Sequence, residues 1–423
     1  WNAITNLQKF DCHMLPGSFR LRIGAPAFMV TSGPSVDYDM EYIKQWRDKA
    51  IVFSGGSSLQ ALLAHGIIPD YHVELENVVQ VWDFCQHILE LNQDKFPGGK
   101  FTGIKLIASV TVNPRVTPLF DETYYFFRDS VSSSFCFADK IPLMSAIGPN
   151  VANTIVAVGA RLGFRHIYMF GMDCGWRDGE SHHSRDTAYY TSDEFKTEKA
   201  AGSHTHPGNF GGTIQSTMVL SWTRDMLEEK VRKFGLRAYN CSDGALIKGA
   251  LPKLAETLDF SDTQIDRDKI FARVREESMF IEHGTYLADY DFDSVMAEID
   301  RYERMILDLC DEALAGEKDF RWMLRKITEI HQNANDSDYR RAYSVFQGPT
   351  MGMAKCACVF LNRIEDAVKR RLVFEDFVAE YRTLHQEMTK ETREIFAAAK
   401  TWIKGGPEPS WAAGLPTLPG YTF

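Results

Sequence analysis

Two short apolar segments near the start of the chain each end directly in a turn of small residues. The first, from Ala27 to Thr31, runs into Ser32, Gly33, Pro34 and Ser35, and the second, from Ala50 to Ser54, runs into Gly55, Gly56, Ser57 and Ser58. In open α/β sheets, a buried strand that stops in such a turn before a helix presents backbone N–H groups to an anionic ligand. The pattern therefore predicts a parallel sheet whose ligand-binding edge lies at the carboxyl ends of its strands.

Neither turn matches a standard phosphate-binding motif. Both GxGxxG and GxxxxGK[ST] are absent, and no lysine follows closely enough to clamp a phosphate. The sequence therefore argues against a dinucleotide-dependent dehydrogenase and against a P-loop NTPase.

The length and composition of the chain limit its organisation and its partners. Its 423 residues, 44% of them hydrophobic, suffice for a large core and predict two domains. A net charge of −10 argues against a nucleic-acid partner. The eight cysteines form no CxxC pair, which is typical of reduced thiols in the cytoplasm. No membrane span or signal peptide is evident, and because Trp1 cannot be an initiator we expect further residues before it.

Polar side chains follow two further predicted strands. The segment from Tyr71 to Leu75 reads as a strand that ends beside Glu74, Glu76 and Asn77, where ligands bind in open α/β sheets. These carboxylates suit ribose hydroxyls or a metal ion, and they equally suit the solvated end of a strand. Asn113 follows the next predicted strand, so the candidate binding residues at these ends are Glu76, Asn77 and Asn113.

The stretch from Ser145 to His183 predicts another helix and strand at the same edge. Gly148 and Asn150 lie in a turn ahead of a helix with an apolar face, and both are candidate ligand contacts. The strand from Ile167 to Phe170 leads to Asp173. That aspartate suits a ligand contact, and capping of the following turn is the alternative.

The segment from Cys174 to Phe210 is long, polar and irregular, as loops that close over active sites often are. Its candidate catalytic side chains and their neighbours are His182, His183, His204, His206, Tyr189 and Tyr190. Histidine suits the removal of a proton near neutral pH, and a tyrosine hydroxyl can donate to a departing phosphate. A metal site is less favoured because no carboxylate or thiolate has suitable spacing. Exposed histidines without a role are the alternative for at least two of the four.

The composition changes towards the C-terminus. Ile214 to Phe234 predicts a long helix with Met218, Trp222, Met226 and Leu227 facing inward. From Asp262 to Lys404 the chain is rich in charge and helix formers. Apolar residues recur there every three or four positions, which predicts an all-α domain of four to six helices; the first such face contains Phe292, Val295, Ile299, Tyr302, Ile306 and Leu309. The predicted parts are residues 1–20 as a leading helix, 21–258 as the α/β domain, 259–404 as the helical domain and 405–423 as an irregular tail.

Several motifs give the chain a resemblance to the bacterial motility-associated factors, the Maf proteins. They are Gly33-Pro34-Ser35 after a strand, GIIPD at Gly66 to Asp70, FGMD at Phe170 to Asp173, and Asn240 to Ala245 followed by Ile247 and Gly249. These motifs occur in the family's order over roughly the first 250 residues. The chain therefore resembles the central domain of the Maf proteins, which is similar to bacterial sialyltransferases.

The resemblance implies a Rossmann-like α/β fold, the sialyltransferase-like variant of the glycosyltransferase A fold, followed by the all-α domain. It implies transfer of a nonulosonic acid, pseudaminic or legionaminic acid, from a CMP-activated donor to serine or threonine of flagellin, without a required cofactor. By analogy, the nucleotide site would be lined by Ser32, Gly33, Pro34, Ser35, Ser54, Gly55, Gly56 and Ser57. His183 or His206 would be the base, Tyr189 or Tyr190 would contact the phosphate, and the helical domain would hold flagellin.

Two other functions fit the same residues. The GPS and GIIPD motifs also resemble archaeal hydroxymethyl-dihydropterin pyrophosphokinases, which use ATP and magnesium. Glu74, Glu76 and Asp173 would then be metal ligands. The third interpretation is a flagellin-binding protein that performs no catalysis.

Overall fold

The computed structural model describes residues 1–17, 22–129, 131–138, 141–177, 181–192, 201–315 and 318–413. The strands in these ranges are β1 (Cys12–Met14), β2 (Ala27–Val30), β3 (Ile51–Gly55), β4 (Tyr71–Glu74), β5 (Phe101–Ser109), β6 (Phe120–Phe126), β7 (His166–Phe170), β8 (His204–Pro207), β9 (Thr213–Ser216), β10 (Arg237–Asn240), β11 (Leu251–Pro252) and β12 (Met279–Ile281). The helices are α1 (Asn2–Lys9), α2 (Val36–Gln45), α3 (Ser58–Ala64), α4 (Gln80–Leu91), α5 (Ser132–Phe137), α6 (Val151–Arg161), α7 (Ala188–Thr191), α8 (Met218–Phe234), α9 (Arg267–Glu277), α10 (Phe292–Leu314), α11 (Phe320–Asn333), α12 (Arg340–Asn362), α13 (Ala367–Ile403) and α14 (Ser410–Ala413).

Within the described ranges, ten strands form one sheet in the order β11-β10-β7-β2-β3-β4-β5-β6-β1-β12. All neighbouring pairs are parallel except β1 and β12, which are antiparallel. The predicted α/β fold with a parallel sheet and a following helical region is therefore confirmed. Strands β2, β3 and β7 lie side by side, so the loops that follow them meet at one edge of the sheet.

Strands β2 and β3 are apolar throughout because the sheet is covered on both faces. Phe28 and Val52 pack with residues of α2 in one core cluster. Met29 and Phe53 pack with residues of α6 in the other. Such continuous apolar runs are typical of parallel strands that are buried on both sides.

The sequence predicted the wrong bounds for α8, and of the residues that it predicted to face inward, Leu227 is buried but Met218 and Trp222 are exposed. Residues 214–216 belong to β9, which forms an antiparallel hairpin with β8, and the helix begins at Met218 after Thr217 caps it. Met218 and Trp222 are 70% and 55% exposed. The buried face is instead polar near its start, where the Thr223 hydroxyl accepts a hydrogen bond from Asn150 Nδ2 at 2.8 Å. A polar contact between α6 and α8 therefore takes the place of the expected apolar one.

The chain folds as two compact units whose boundary differs from the predicted one. One unit contains residues 2–129 and 141–283, and the other contains residue 1, 130–140 and 284–423. Residues 259–283, which the sequence assigned to the helical domain, group with the α/β unit: Ile270 and Val274 of α9 lie in the core of the sheet. Strand β12 then closes the sheet beside β1.

The helical unit contains α10 to α13, with the short helices α5 and α14. The apolar face predicted for the first long helix is confirmed, since its six members are buried: Phe292, Val295, Ile299, Tyr302, Ile306 and Leu309. Cys356 and Cys358 lie on α12 and are free thiols. In the predicted irregular tail, residues 410–413 form α14, and residues 414–423 lie outside the described ranges.

Candidate functional site

The loops after β2 and β3 meet through their serine side chains. Val30 pairs with Ser54 in the parallel register, so the residues that follow each strand are neighbours. The Ser57 hydroxyl donates to Ser32 Oγ at 2.7 Å, and His183 Nδ1 lies 3.5 Å from the same Ser32 oxygen. Ser32 and Ser57 are both half-buried. The two predicted binding loops and one predicted catalytic histidine therefore share one small site at the sheet edge.

The eight loop residues predicted to line this site divide into two groups. Four are half-buried and open to the site: Ser32, Gly33, Gly56 and Ser57. Four are buried: Pro34, Ser35, Ser54 and Gly55. The Ser58 hydroxyl bridges the end of β3 to β2 by donating to the Val30 carbonyl at 2.8 Å and accepting from Gly55 N at 2.9 Å. The second loop is thus fixed to the strand beside it.

Asp173 lies directly behind the first loop. Its Oδ2 accepts a hydrogen bond from the Ser35 hydroxyl at 3.0 Å, and the side chain is 3% exposed. Gly33 N donates to the Gly171 carbonyl at 2.8 Å, which places Gly33 against the same aspartate. A Cβ atom on Gly33 would lie 2.8 Å from Asp173 Cγ and closer still to Asp173 Oδ2. Glycine is needed here because the chain segments approach too closely for any side chain.

Asp39 on α2 is a buried acidic residue that sequence reasoning missed. It is 8% exposed, and its Oδ2 has no hydrogen-bond partner among the described residues. Burial, with the nearby charges of Asp173 and Asp243, raises the pKa of Asp39 to about 8. The face of α2 behind the first loop is therefore sensitive to pH near neutrality.

The segment from residue 181 to 192 covers the loops after β2 and β3. Ser184 N donates to the Ser32 carbonyl at 2.8 Å, and Gln60 Nε2 donates to Thr191 Oγ1 at 3.0 Å. His65 Nε2 and Asp186 Oδ2 lie within hydrogen-bonding distance of each other, at 3.0 Å. These contacts hold the histidines and tyrosines of the segment over the sheet edge.

His183 is the best-placed catalytic candidate. Its ring stacks on Tyr189 with centroids 4.5 Å apart and lies 4.5 Å from the ring of His182. Burial, and then the neighbouring His182, lower the pKa of His183 to about 4. The imidazole is therefore neutral at pH 7 and able to accept a proton. Tyr190 is 41% exposed, and its hydroxyl lies 3.5 Å from His182 Nδ1.

His206 occupies a different setting from His183. It lies on β8, where Nε2 is 2.7 Å from the Ser221 hydroxyl and Nδ1 is 2.7 Å from an Arg224 nitrogen. Because the guanidinium can only donate, Nδ1 accepts and Nε2 carries the proton. Both ring nitrogens are thus occupied by α8, which leaves His206 poorly suited to act as a base.

The remaining predicted binding residues lie after β4, after β5 and before α6, rather than in the two loops that contain Ser32 and Ser57. Glu76 and Asn77 are exposed after β4, whereas Asn113 is 2% exposed and its side chain accepts from Arg115 N at 3.1 Å. Gly148 and Asn150 precede α6, where Asn150 caps the helix. The next residue of α6, Val151, approaches the second loop, at 3.4 Å from a Cβ built on Gly56.

Sequence reasoning named Ser54 and Glu74 as candidates but missed His72, the buried histidine that links them. Beneath the second loop, Ser54 is hydrogen-bonded to His72, and His72 in turn to Glu74. None of the three residues is more than 5% exposed. A signal existed, because His72 and Glu74 are two positions apart on one strand and share a face. Their link to Ser54 depends on the register between β3 and β4, which the sequence does not reveal.

The described residues contain no group of three or more histidine, cysteine or acidic side chains arranged to hold a metal ion. Among them, no helix has both the length and the apolar character needed to span a bilayer.

The N-terminal part of the chain matches the model of a known protein family. Residues 2–179 match the family model described as "6-hydroxymethylpterin diphosphokinase MptE-like". The search of the curated proteins found no match. The match lies largely within the α/β unit and covers less than half of the chain.

Comparison with solved structures extends the likeness into the helical unit. The chain is similar to the structure of a Maf glycosyltransferase from Magnetospirillum magneticum AMB-1, with 26% identity and a TM-score of 0.73. The match covers 94% of this chain and 60% of that one, so the chain spans about three fifths of the relative's length. The resemblance to the Maf proteins that the sequence indicated is thus confirmed.

Proposed function

We propose that the chain is a glycosyltransferase that moves a nonulosonic acid, pseudaminic or legionaminic acid, from a CMP-activated donor to serine or threonine of flagellin. The observation that carries the proposal is the placement of a neutral His183 beside the linked Ser32 and Ser57 hydroxyls, where two parallel strands end. The similarity to a Maf glycosyltransferase supports the reaction class. We place the reaction in the cytoplasm, before flagellin is exported.

In this mechanism His183 is the base. The acceptor hydroxyl gives its proton to the imidazole as its oxygen attacks the anomeric carbon of the sugar, and the bond from that carbon to the CMP phosphate oxygen breaks. The negative charge of a bound donor stabilises imidazolium and so raises the pKa of His183 in the complex above its value in the free chain. The base is therefore strengthened when the donor is in place.

The departing phosphate needs hydrogen-bond donors rather than a metal ion in this proposal. Ser32 and Ser57 offer hydroxyls at the loops, and Tyr189, whose ring stacks on His183, offers a phenol. Burial and the charges of Glu74 and Glu76 raise the pKa of Tyr189, so the phenol keeps its proton at neutral pH. Donors held in place before reaction stabilise the charge that develops on the leaving group.

A second candidate function is an ATP- and magnesium-dependent pterin diphosphokinase, which the description of the matching family favours. It requires carboxylates that are open to a metal. Asp173 Oδ2 accepts from Ser35 and the residue is only 3% exposed, so one of the three expected ligands is closed off from the sheet edge. The closed position of Asp173 favours the transferase.

The test is transfer itself. The chain is incubated with flagellin and CMP-pseudaminic or CMP-legionaminic acid, in the presence of either EDTA or magnesium. The mass of flagellin is then measured by mass spectrometry. We expect a mass increase that survives EDTA and is lost in His183→Gln. Release of AMP from ATP and a 6-hydroxymethylpterin, only with magnesium, would establish the diphosphokinase instead. Flagellin binding without either reaction would identify a non-enzymatic partner.

A further inference from the structure

The buried row Ser54–His72–Glu74 lies under the candidate site and takes no part in the mechanism above. Ser54 pairs with His72 across β3 and β4. His72 Nδ1 is 2.9 Å from Ser54 Oγ, and His72 Nε2 is 2.9 Å from Glu74 Oε1. The His72 ring also stacks on Phe120, with centroids 5.6 Å apart and an interplanar angle of 8°. The histidine is therefore held by this stacking and at both ring nitrogens.

The direction of the hydrogen bond between His72 and Glu74 follows from the chemistry of the two groups. A carboxylate can only accept, so His72 Nε2 carries a proton and donates it to Glu74 Oε1. The other ring nitrogen, Nδ1, is hydrogen-bonded to the Ser54 hydroxyl, which can either donate or accept. The row thus ends in a carboxylate whose orientation is set by groups that are themselves buried.

The second oxygen of that carboxylate accepts no hydrogen bond from the described part of the chain. It is not one of the fully buried side-chain atoms, so it can be reached from the sheet edge, although the side chain as a whole is only 7% exposed. The oxygen lies at the carboxyl end of β4, directly beside the strand whose end forms the second loop. A carboxylate oxygen that is held in this position is open to a charge-assisted hydrogen bond from a ligand.

We propose that Glu74 is a ligand-binding residue of this site, and that its Oε2 accepts a hydrogen bond from a hydroxyl of the bound nucleotide sugar. The inference rests on the proposed function for the identity of the ligand. His72 and Ser54 are positioning residues, because they orient Glu74 and touch no ligand. The hydroxyl belongs either to the ribose or to the transferred sugar, and the two sources give different results in a binding experiment.

The experiment measures the affinity of CMP, 2′-deoxy-CMP, 3′-deoxy-CMP and the CMP-nonulosonic acid by calorimetry, for the wild-type chain and for Glu74→Gln. The matched control is Glu122→Gln, since Glu122 is also a sheet carboxylate beside a strand histidine, His13, at 3.4 Å. Glu122 lies near the start of β6, away from the carboxyl ends of the strands where the candidate site lies. Circular dichroism establishes that each variant is folded.

We expect Glu74→Gln to bind about tenfold or more weakly and the control to bind as wild type, since a hydrogen bond to a charged group is lost. If the hydroxyl belongs to the ribose, one of the deoxy-CMP analogues binds the wild-type chain about as weakly as CMP binds Glu74→Gln. Glu74→Gln then binds that analogue and CMP equally well. If the sugar is the source, only the CMP-nonulosonic acid is affected.

Unchanged affinity of Glu74→Gln for both CMP and the CMP-sugar would overturn this role of Glu74 and leave the transferase proposal standing. The deoxy analogues keep the test valid if the variant fails to fold, because they remove the hydroxyl from the ligand instead. Analogues of the CMP-nonulosonic acid that each lack one sugar hydroxyl are titrated beside them, and the role of Glu74 is overturned if no analogue of either kind binds more weakly than its parent. A wild-type chain that binds neither CMP nor the CMP-sugar would overturn the proposed function as well.

Discussion

Replacing Gly33 with alanine tests the close packing between the first loop and Asp173. The new Cβ would lie 2.8 Å from Asp173 Cγ and nearer to its Oδ2 and to the Gly171 carbonyl oxygen. The Gly171 carbonyl belongs to the backbone and cannot rotate away from the new Cβ. The Asp173 carboxylate can move away, but it then gives up its hydrogen bond from Ser35. Overpacking costs about 1–3 kcal/mol, and a lost hydrogen bond to a charged group costs about 1.5–3 kcal/mol.

The expected destabilisation of Gly33→Ala is therefore at least about 2.5 kcal/mol. In a domain of about 150–250 residues, 1 kcal/mol lowers Tm by about 2–4 °C, so Tm should fall by at least about 5 °C. The assay is thermal unfolding followed by near-ultraviolet circular dichroism, together with a CMP titration, because the same displacement moves the loop that is proposed to hold the nucleotide. CMP binding should be lost or strongly weakened.

The matched control is Gly24→Ala. A Cβ on Gly24 meets nothing within 4 Å, and its backbone does not require glycine, so the free energy of unfolding should change by less than about 1 kcal/mol. The reasoning is refuted if Gly33→Ala is as stable as Gly24→Ala and binds CMP as the wild-type chain does.

Three further predictions concern titrating groups near the site. Because the pKa of His183 is lowered to about 4, kcat/KM for transfer should stay level from pH 7 down to about 5, and an acid limb near 6.5 would contradict the assignment of the base. His206→Gln should retain transfer within about tenfold of wild type, since both nitrogens of His206 are occupied by α8; a loss comparable to that of His183→Gln would reverse the choice. The pKa of Asp39 is raised to about 8, so the folded chain binds more protons than the unfolded chain between about pH 4 and 8, and stability falls as pH rises through that range. Asp39→Asn should therefore raise Tm more at pH 8 than at pH 5, and an equal change at both would show that Asp39 does not titrate there.

The features that the sequence predicted well depend on neighbours along the chain. The turn after β2 and the turn after β3 are local patterns of apolar and small residues, and they place the ligand edge of the sheet. The buried face of α10 follows from spacing alone. Each of these patterns is completed within one element, so no knowledge of packing between elements is needed.

The features that the sequence did not reveal depend on how distant elements meet. The choice between His183 and His206 is made by the contacts of each ring, with Ser32 for one and with α8 for the other. The inward face of α8 is polar near its start because Thr223 meets Asn150 of a distant turn, and the apolar periodicity of the helix does not predict that partner. His72 gains its role from the register of β4 against β3.

The most direct test of the account is thermal stabilisation by CMP and by ATP at matched concentrations, each with EDTA and with magnesium. A ligand that binds only the folded state at 100 times its Kd stabilises it by about 2.7 kcal/mol, which is a shift of several degrees. We predict that CMP raises Tm equally in EDTA and in magnesium, and that this shift is absent in Gly33→Ala. A shift with ATP and magnesium alone, and none with CMP, would contradict the account.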